Sequence, residues 1–209
     1  MEKIRLIGCG GHARSVADAF LGRFPDASLR FYDVYAEDGE TILLGGYCAY
    51  ALHHINEEED DIPIFIAIGD NQERKEYASK YCNEHNLISV ISISSMVSRF
   101  SRIGYENFMG NMAYVGPGAN IGNFNIINTS AVVEHEVQVG DFTHISVNTT
   151  VCGRSRIGSN VFLGAGSTVI DKIMICDNVV VGANSVVVND IDVPGVYVGN
   201  PARIIKRYD

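Results

Sequence analysis

A histidine set between two acids, Glu134-His135-Glu136, is the part of this sequence best equipped for chemistry. Imidazole titrates near neutrality and can take a proton from an attacking group, while a neighbouring carboxylate can hold one tautomer and favour the imidazolium once it forms. The order of residues leaves open which glutamate reaches the ring. A second stretch, Gly8-Cys9-Gly10-Gly11-His12-Ala13, crowds glycines at a strand-to-helix turn, where main-chain N–H groups at a helix N-terminus can receive a phosphate. Gly10, Gly11 and His12 are the candidates there. Asp33, at the end of the next expected strand, can accept from a ribose or sugar hydroxyl. A third stretch, Gly69-Asp70-Asn71 with Arg74, follows a further strand at the carboxyl end of the sheet, where ligands of such folds collect, so Gly69 and Asn71 are also candidate binding residues.

The elements that must position these groups differ between the two halves. In the first ninety or so residues, short apolar runs alternate with helical patterns. Lys3 to Ile7, Leu29 to Tyr32 and Ile64 to Ile68 read as strands, and Ala13 to Phe24 and Gln72 to Glu84 as helices, which makes a small parallel α/β unit. The glycines match G-x-G-x-x-A with an acid some twenty residues on, a dinucleotide fingerprint, but only one mononucleotide half is present. A nucleotide-sugar is therefore the better expectation. The acidic run Glu57 to Asp61 reads as a solvated loop.

The C-terminal half repeats every six residues. From Ile103 to Val193 in steps of six, all sixteen positions are aliphatic, and Ile91 and Val97 extend the phase upstream. The next position is often glycine, as at Gly104, Gly116, Gly140 and Gly158, and four residues after each aliphatic the side chain is usually small or β-branched. Six fits neither a helix nor a plain strand, but it fits a solenoid with three flat faces per coil, one hexapeptide to a face. The aliphatic residue points inward, the small residue packs beside it, and glycine is expected to relieve a strained corner. Three hexapeptides make a coil of 18 residues, which sets Gly153 one coil beyond His135 and gives its bare main chain room to approach a ligand. The expected domains are 1–91 and 92–209.

Composition narrows the partners. The net charge of −9 argues against nucleic acid or an anionic membrane, both of which reward clustered Lys and Arg. The apolar runs fall short of the roughly 20 residues a membrane helix needs, and the N-terminus runs straight into a strand, so a cytoplasmic location is expected. Five scattered cysteines without a C-x-x-C pair suggest core packing, with neither a disulfide framework nor a metal site.

Taken together, I-R-L-I-G-C-G-G-H, F-I-A-I-G-D-N-Q-E-R, N-T-S-A-V-V-E-H-E and V-G-N-P-A-R resemble the PglD/NeuD-type sugar acetyltransferases across nearly the whole chain. The stretch V-V-E-H-E-V-Q-V-G-D-F-T-H-I-S is more similar to the N-acetyltransferases of nucleotide-linked amino sugars than to sialic acid O-acetyltransferases, the nearest rival. The resemblance implies a left-handed parallel β-helix behind a small Rossmann-like domain, and a homotrimer with acetyl-CoA slots between neighbouring helices. It further implies a role in bacterial-type surface glycan biosynthesis, and the lack of a Ser or Cys nucleophile placed with a base by any recognisable motif favours direct acetyl transfer, with no metal expected. His135 would be the general base and Glu136 would raise its basicity. His144, Gly153, Ala165 and Ala183 would line the acetyl-CoA slot, and Asn128 would orient the sugar. Arg203, in the closing V-G-N-P-A-R, would serve the cofactor, with Lys206 and Arg207 available to its phosphates.

Overall fold

The computed structural model describes residues 3–37, 40–41, 47–57, 61–82 and 87–208. The chain divides into two compact units, residues 1–93 and 94–209.

In the first unit, β1 (Lys3–Ile7) buries four of its five residues, the near-continuous apolar pattern of a strand covered on both faces. It leads into α1 (Gly11–Arg23), whose buried Ala13, Val16, Ala17 and Phe20 form one helical stripe. There follow β2 (Ser28–Asp33), β3 (Glu40–Thr41), β4 (Cys48–Ala51), β5 (Ile64–Ile66) and α2 (Asn71–Tyr81). The sheet order is β3-β4-β2-β1-β5, parallel except for β3, which runs antiparallel to β4. The sequence reading lacked β3 and β4. Cys-Ala-Tyr-Ala has little intrinsic strand preference, and β4 forms because β2 offers its edge, pairing Phe31 with Ala49 and Tyr32 with Tyr50. Helix α1 starts earlier than expected, with the extended Gly10 as its cap residue. In α2 the start is set by Asp70, whose carboxylate accepts the Glu73 N–H at 2.9 Å. Its expected end at Glu84 lies outside the described residues, as do residues 58–60 of the expected acidic loop.

The second unit is a parallel β-helix whose coils carry three short strands each. The first face stacks Met96–Val97, Tyr114–Val115, Val132–Val133, Thr150–Val151, Thr168–Val169 and Val186–Val187. The second stacks Arg102–Ile103, Asn120–Ile121, Gln138–Val139, Arg156–Ile157 and Met174–Ile175. The third includes Phe108–Met109, Ile126–Ile127, His144–Ile145, Phe162–Leu163 and Val179–Val181, and ends on the hairpin of Gly195–Val198 with Arg203–Arg207. The rungs pair residue i with residue i+18, as Val115 with Val133 and Val133 with Val151, until the last coil, where Val179–Val181 pair with Gly195–Tyr197 at i+16. The α/β unit followed by a β-helix of hexapeptide coils is the fold class expected from the sequence.

Two expectations about the repeat are corrected. The strained corners do not fall on the glycines after the aliphatics. They fall two residues later, where twelve non-glycine residues from Glu106 to Asn184 have φ between 54° and 65°. With Gly118 and Gly166 these make an unbroken left-handed series at six-residue spacing. The glycines after the aliphatics are needed for space instead. A Cβ on Gly116 would stand 2.8 Å from the main-chain nitrogen of His135 in the next coil. The second correction is at Val193, which forms no rung: Ile191 bridges Ile175 in its place, and Pro194 offers no N–H to carry a ladder onward.

The small residues at the fourth position after each aliphatic do more than fill the core. Asn125 N–H donates to Asn107 Oδ1 at 2.8 Å, Thr143 N–H to Asn125 Oδ1 at 2.7 Å and Val161 N–H to Thr143 Oγ1 at 3.1 Å. Buried side chains thus take up the corner N–H groups that the flat-face ladders leave over.

Candidate active site

His135 sits at the edge between the first and second faces, two residues past the buried Val133 and directly before the left-handed corner at Glu136, whose φ is 60°. Its imidazole is half-buried and lies against Gly153 of the following coil. A Cβ built on Gly153 would meet His135 Cε1 and Nε2 at 2.5 Å and Nδ1 at 3.1 Å. Gly116 on one side and Gly153 on the other leave the histidine a slot that no larger residue would. Among the described residues no hydrogen bond reaches the ring nitrogens.

The two acids have different places. Glu134 Oε2 accepts the main-chain N–H of His135 at 3.1 Å, fixing the residue's backbone rather than its ring. Glu136 is exposed, with its Cγ 3.3 Å from where a Cβ of Gly118 would be, and its carboxylate makes no hydrogen bond to the imidazole. Cys152, beside Gly153, is no ready nucleophile: burial, then the carboxylates of Asp171 and Glu134, push its thiol up. Among the described residues no group of three or more His, Cys, Asp or Glu could hold a metal ion.

The residues expected to line a cofactor slot do not converge within one chain. Gly153 is buried at the same edge as His135. Ala165 and Ala183 are exposed at the edge between the third and first faces, where Asn128 also lies. The breadth of the first face separates the two groups. His144 is on the third face and only 9% exposed. Its Nε2 is 3.1 Å from Asn128 Nδ2, and its ring meets Phe162 edge-on with centroids 5.1 Å apart. Arg203 begins the exposed terminal strand, and its Nη1 donates to the carbonyl of Ala202 at 2.8 Å. A separate groove of about 760 Å³ runs along the second face past Gln138, Arg156 and Met174, and none of the expected site residues lines it.

In the first unit a cavity of about 350 Å³ opens at the carboxyl ends of β1, β2 and β5. Gly10, Gly11, His12, Asp33 and Gly69 all line it, so the glycine loop and the end of β2 meet as expected. Gly8 is the glycine that the turn requires: its φ is 109°, and a Cβ there would press on Ala67 O at 2.9 Å. A side chain at Gly10 or Gly11 would meet nothing within 4 Å, so these two leave open room. Helix α1 starts there with no side-chain cap and no acid in its first turn, which keeps its positive end available to an anion. Asp33 ties the loop to the sheet, accepting Cys9 N–H on Oδ2 and Tyr35 N–H on Oδ1, each at 3.0 Å. A carboxylate has lone pairs left for a hydroxyl after two such bonds.

Asn71 does not line this cavity. It is buried, and its Oδ1 accepts from Arg74 Nη2 at 2.8 Å. Arg74 is itself buried and donates through Nη1 to the carbonyls of Ile68 and Gly69 at 3.1 Å and Asp70 at 3.3 Å. Burial pulls its guanidinium down to about 10, against the opposing pull of Asp70, and it remains charged at neutral pH. Asn71 and Arg74 thus brace the Ile68–Asp70 loop from behind. Sequence reasoning missed the aromatic part of the wall, Tyr32, Tyr35 and Tyr77, together with Glu73. The spacing of Glu73 and Tyr77, one helical turn apart, is the signal that would have placed both on one face of α2. Burial, followed by Glu73 and Asp33, pushes the Tyr77 phenol up and keeps it a hydrogen-bond donor.

Residues 3–81 match the PglD N-terminal domain family, and residues 154–189 match the bacterial transferase hexapeptide (six repeats) family. No curated protein matches the chain in sequence. The chain is similar to the acetyltransferase domain of PglB from Neisseria gonorrhoeae FA1090 in complex with acetyl coenzyme A, with a TM-score of 0.91 and 26% identity over 98% of this chain and 99% of that one. It is also similar to PerB from Caulobacter crescentus in complex with CoA and GDP-perosamine, with a TM-score of 0.85 and 29% identity over 98% of this chain and 97% of that one. A mutant of perosamine N-acetyltransferase from Caulobacter crescentus, bound to the same two ligands, gives 0.86 and 28% over 100% and 98%. The chain thus matches the PglD N-terminal domain over residues 3–81 and the hexapeptide repeats over residues 154–189, the pairing that its resemblance to the PglD/NeuD-type sugar acetyltransferases implies.

Proposed function

We propose that this protein transfers the acetyl group of acetyl-CoA to the amino group of a nucleotide-linked amino sugar, with His135 as general base and no covalent acyl-enzyme. The observation that carries this reading is the imidazole of His135 held against Gly153 at a coil edge, in a chain similar along almost its full length to solved sugar acetyltransferases. The acceptor's nucleotide goes to the first unit, its phosphates at Gly10, Gly11 and His12 and a hydroxyl at Asp33. The donor goes to the second unit.

The amine nitrogen attacks the thioester carbonyl carbon as His135 takes its proton, and the oxyanion that forms needs fixed N–H donors. Gly153 supplies one: among the described residues no hydrogen bond takes up its N–H. The carbon–sulfur bond then breaks, CoA leaves as its thiol with the proton returned from the imidazolium, and the sugar keeps an amide. Glu136 is the carboxylate assigned to the imidazolium, and Glu134 holds the main chain beneath it. Ala165, Ala183 and Asn128 lie a face away from His135, so a site containing both groups takes its second edge from another copy. A homotrimer closes three such sites. His144 supports Asn128 in that slot and Arg203 lies toward the CoA phosphates. We place the reaction in the cytoplasm, in the supply of sugars for a surface glycan.

The test is to incubate the protein with acetyl-CoA and a panel of UDP-, dTDP- and GDP-linked amino sugars. Free thiol is followed, and the product is identified by NMR. Thiol release with an amide on the nitrogen of the sugar's exocyclic amino group is expected. An ester on a sugar hydroxyl oxygen, or no transfer to any amino sugar, overturns the reading.

A further inference from the structure

At the edge between the second and third faces, the first N–H of successive corners is taken by the side chain one coil on. Asn123 N–H donates to Asp141 Oδ1 at 2.6 Å, Asp141 N–H to Ser159 Oγ at 3.0 Å and Ser159 N–H to Asp177 Oδ1 at 2.7 Å. At the edge that carries His135, the residue one coil beyond Gly153 is Asp171, an acid of the same type in the same register. By that pattern Asp171 should cap Gly153. It does not. Its two carboxylate oxygens are held by Arg154 Nη2 at 3.2 and 3.3 Å, and Lys172 Nζ stands 3.6 Å from Oδ2. Gly153 is buried, its N–H faces no acceptor among the described residues, and it lies under the imidazole. A buried donor left open costs free energy that folding must offset, and calls for a reason.

We propose that Arg154 is a positioning residue, whose guanidinium draws the Asp171 carboxylate away from Gly153 and so keeps that N–H open for the oxygen of the acyl donor. This rests on the acetyl-transfer reading above. The pair is built for position rather than for stability. Its side chains are 48% and 42% exposed, and an ion pair that open to water contributes little to folding. Arg154 itself is in the left-handed corner with φ 62°, one residue past the N–H it protects. Released from Arg154, Asp171 has the register that lets Asp141 and Asp177 reach their caps, and a carboxylate on Gly153 N–H would both block the donor and repel an oxyanion.

Two measurements test this separately from the reading it rests on. A crystal structure of Arg154→Met is expected to show an Asp171 carboxylate oxygen within hydrogen-bond distance of Gly153 N. An Asp171 that stays clear of Gly153 overturns the proposal whatever the enzyme's substrate. In acetyl transfer to the acceptor found in the panel, Arg154→Met should lower kcat by about 10²- to 10³-fold, the scale of losing one oxyanion donor, with KM for acetyl-CoA little changed. Adding Asp171→Ala to Arg154→Met should restore kcat to within about threefold of wild type, a coupling that only a shared interaction produces. Arg154→Lys, which can still pair with Asp171, should fall between. If the double variant is as slow as Arg154→Met, or if the loss appears as a raised KM for acetyl-CoA, Arg154 acts on a ligand directly and the proposal fails. An absence of transfer in the wild type would defeat the acetyl-transfer reading alone, because the crystal structure still decides where Asp171 goes.

Discussion

The imidazole of His135 occupies the space that a Cβ of residue 153 would need: Cε1 and Nε2 both lie 2.5 Å from that point. The base and the glycine beneath it are one structural unit, although eighteen residues separate them. Gly153→Ala should push the ring out of its slot and lower kcat by about 10²-fold, since a displacement of about 1 Å is enough to cost that much. The thermal midpoint should move little, because the ring can swing toward solvent. An unchanged kcat in Gly153→Ala would mean that the ring position seen here is not the working one.

His135→Ala is expected to fold and assemble normally, because the inward core at this height is made by Val133, Val139 and Val151. Its rate should fall by about 10² to 10⁴, the range for a positioned base. In the wild type kcat/KM should rise with pH on the acid side, because only neutral imidazole can accept the amine proton; the variant keeps the ionisation of the acceptor amine alone, so its rise should be less steep. Parallel pH–rate profiles of the two proteins check this. Retention of more than about a third of wild-type kcat/KM would exclude general-base catalysis by this residue.

The two glutamates should separate by the kind of replacement they tolerate. Glu134 acts through a carboxylate oxygen on a main-chain N–H, so Glu134→Gln, which keeps an acceptor, should hold most of the activity while Glu134→Ala loses about tenfold. Glu136→Ala should cost less than His135→Ala, since the base remains. Steady-state kinetics of the three variants checks both statements. Equal losses in Glu134→Gln and Glu134→Ala would assign Glu134 a role through its charge.

The separation of His135 from Ala165 and Ala183 predicts complementation between chains. His135→Ala and Ala165→Trp should each be inactive, the second because a bulky ring fills the slot. Unfolded together and refolded as a mixture, they should recover activity at about a quarter of the sites, those that pair an intact edge from each parent. Light scattering should report a trimer. No recovery from a correctly assembled mixture would place the whole site within one chain.

Arg74 offers a test confined to the first unit. Arg74→Met removes the donor that Arg74 supplies to the half-buried loop carbonyls of Ile68, Gly69 and Asp70. The nucleotide-sugar should bind more weakly by about tenfold and the thermal midpoint should drop by several degrees, while the affinity for CoA measured by calorimetry stays the same. A matching loss of CoA affinity would show that the loop does not serve the acceptor alone.

Periodicity in this sequence determined a great deal by itself. The aliphatic phase up to Val187 specifies which side chains face inward, and with 18 residues to a coil it places Gly153 beside His135 by sequence alone. The glycine loop and Asp33 were legible for a similar reason, since a turn between a buried strand and a helix leaves few places for its N–H groups to point. What the sequence did not determine is how polar groups choose among partners once the coils stack. Asp141 and Asp171 are both acids at the same point of a corner, yet one caps the coil before it and the other is held off by Arg154. Glu134 and Glu136 flank the same histidine, yet only Glu134 bonds to it. Such choices turn on contacts within about 3 Å between residues a full coil apart. The strand Cys48–Ala51 escaped for the same cause, because its pairing comes from the edge of β2 and not from its own residues. Inward or outward is written into each hexapeptide by hydrophobicity, whereas the partner of each donor is decided only when the coils lie on one another.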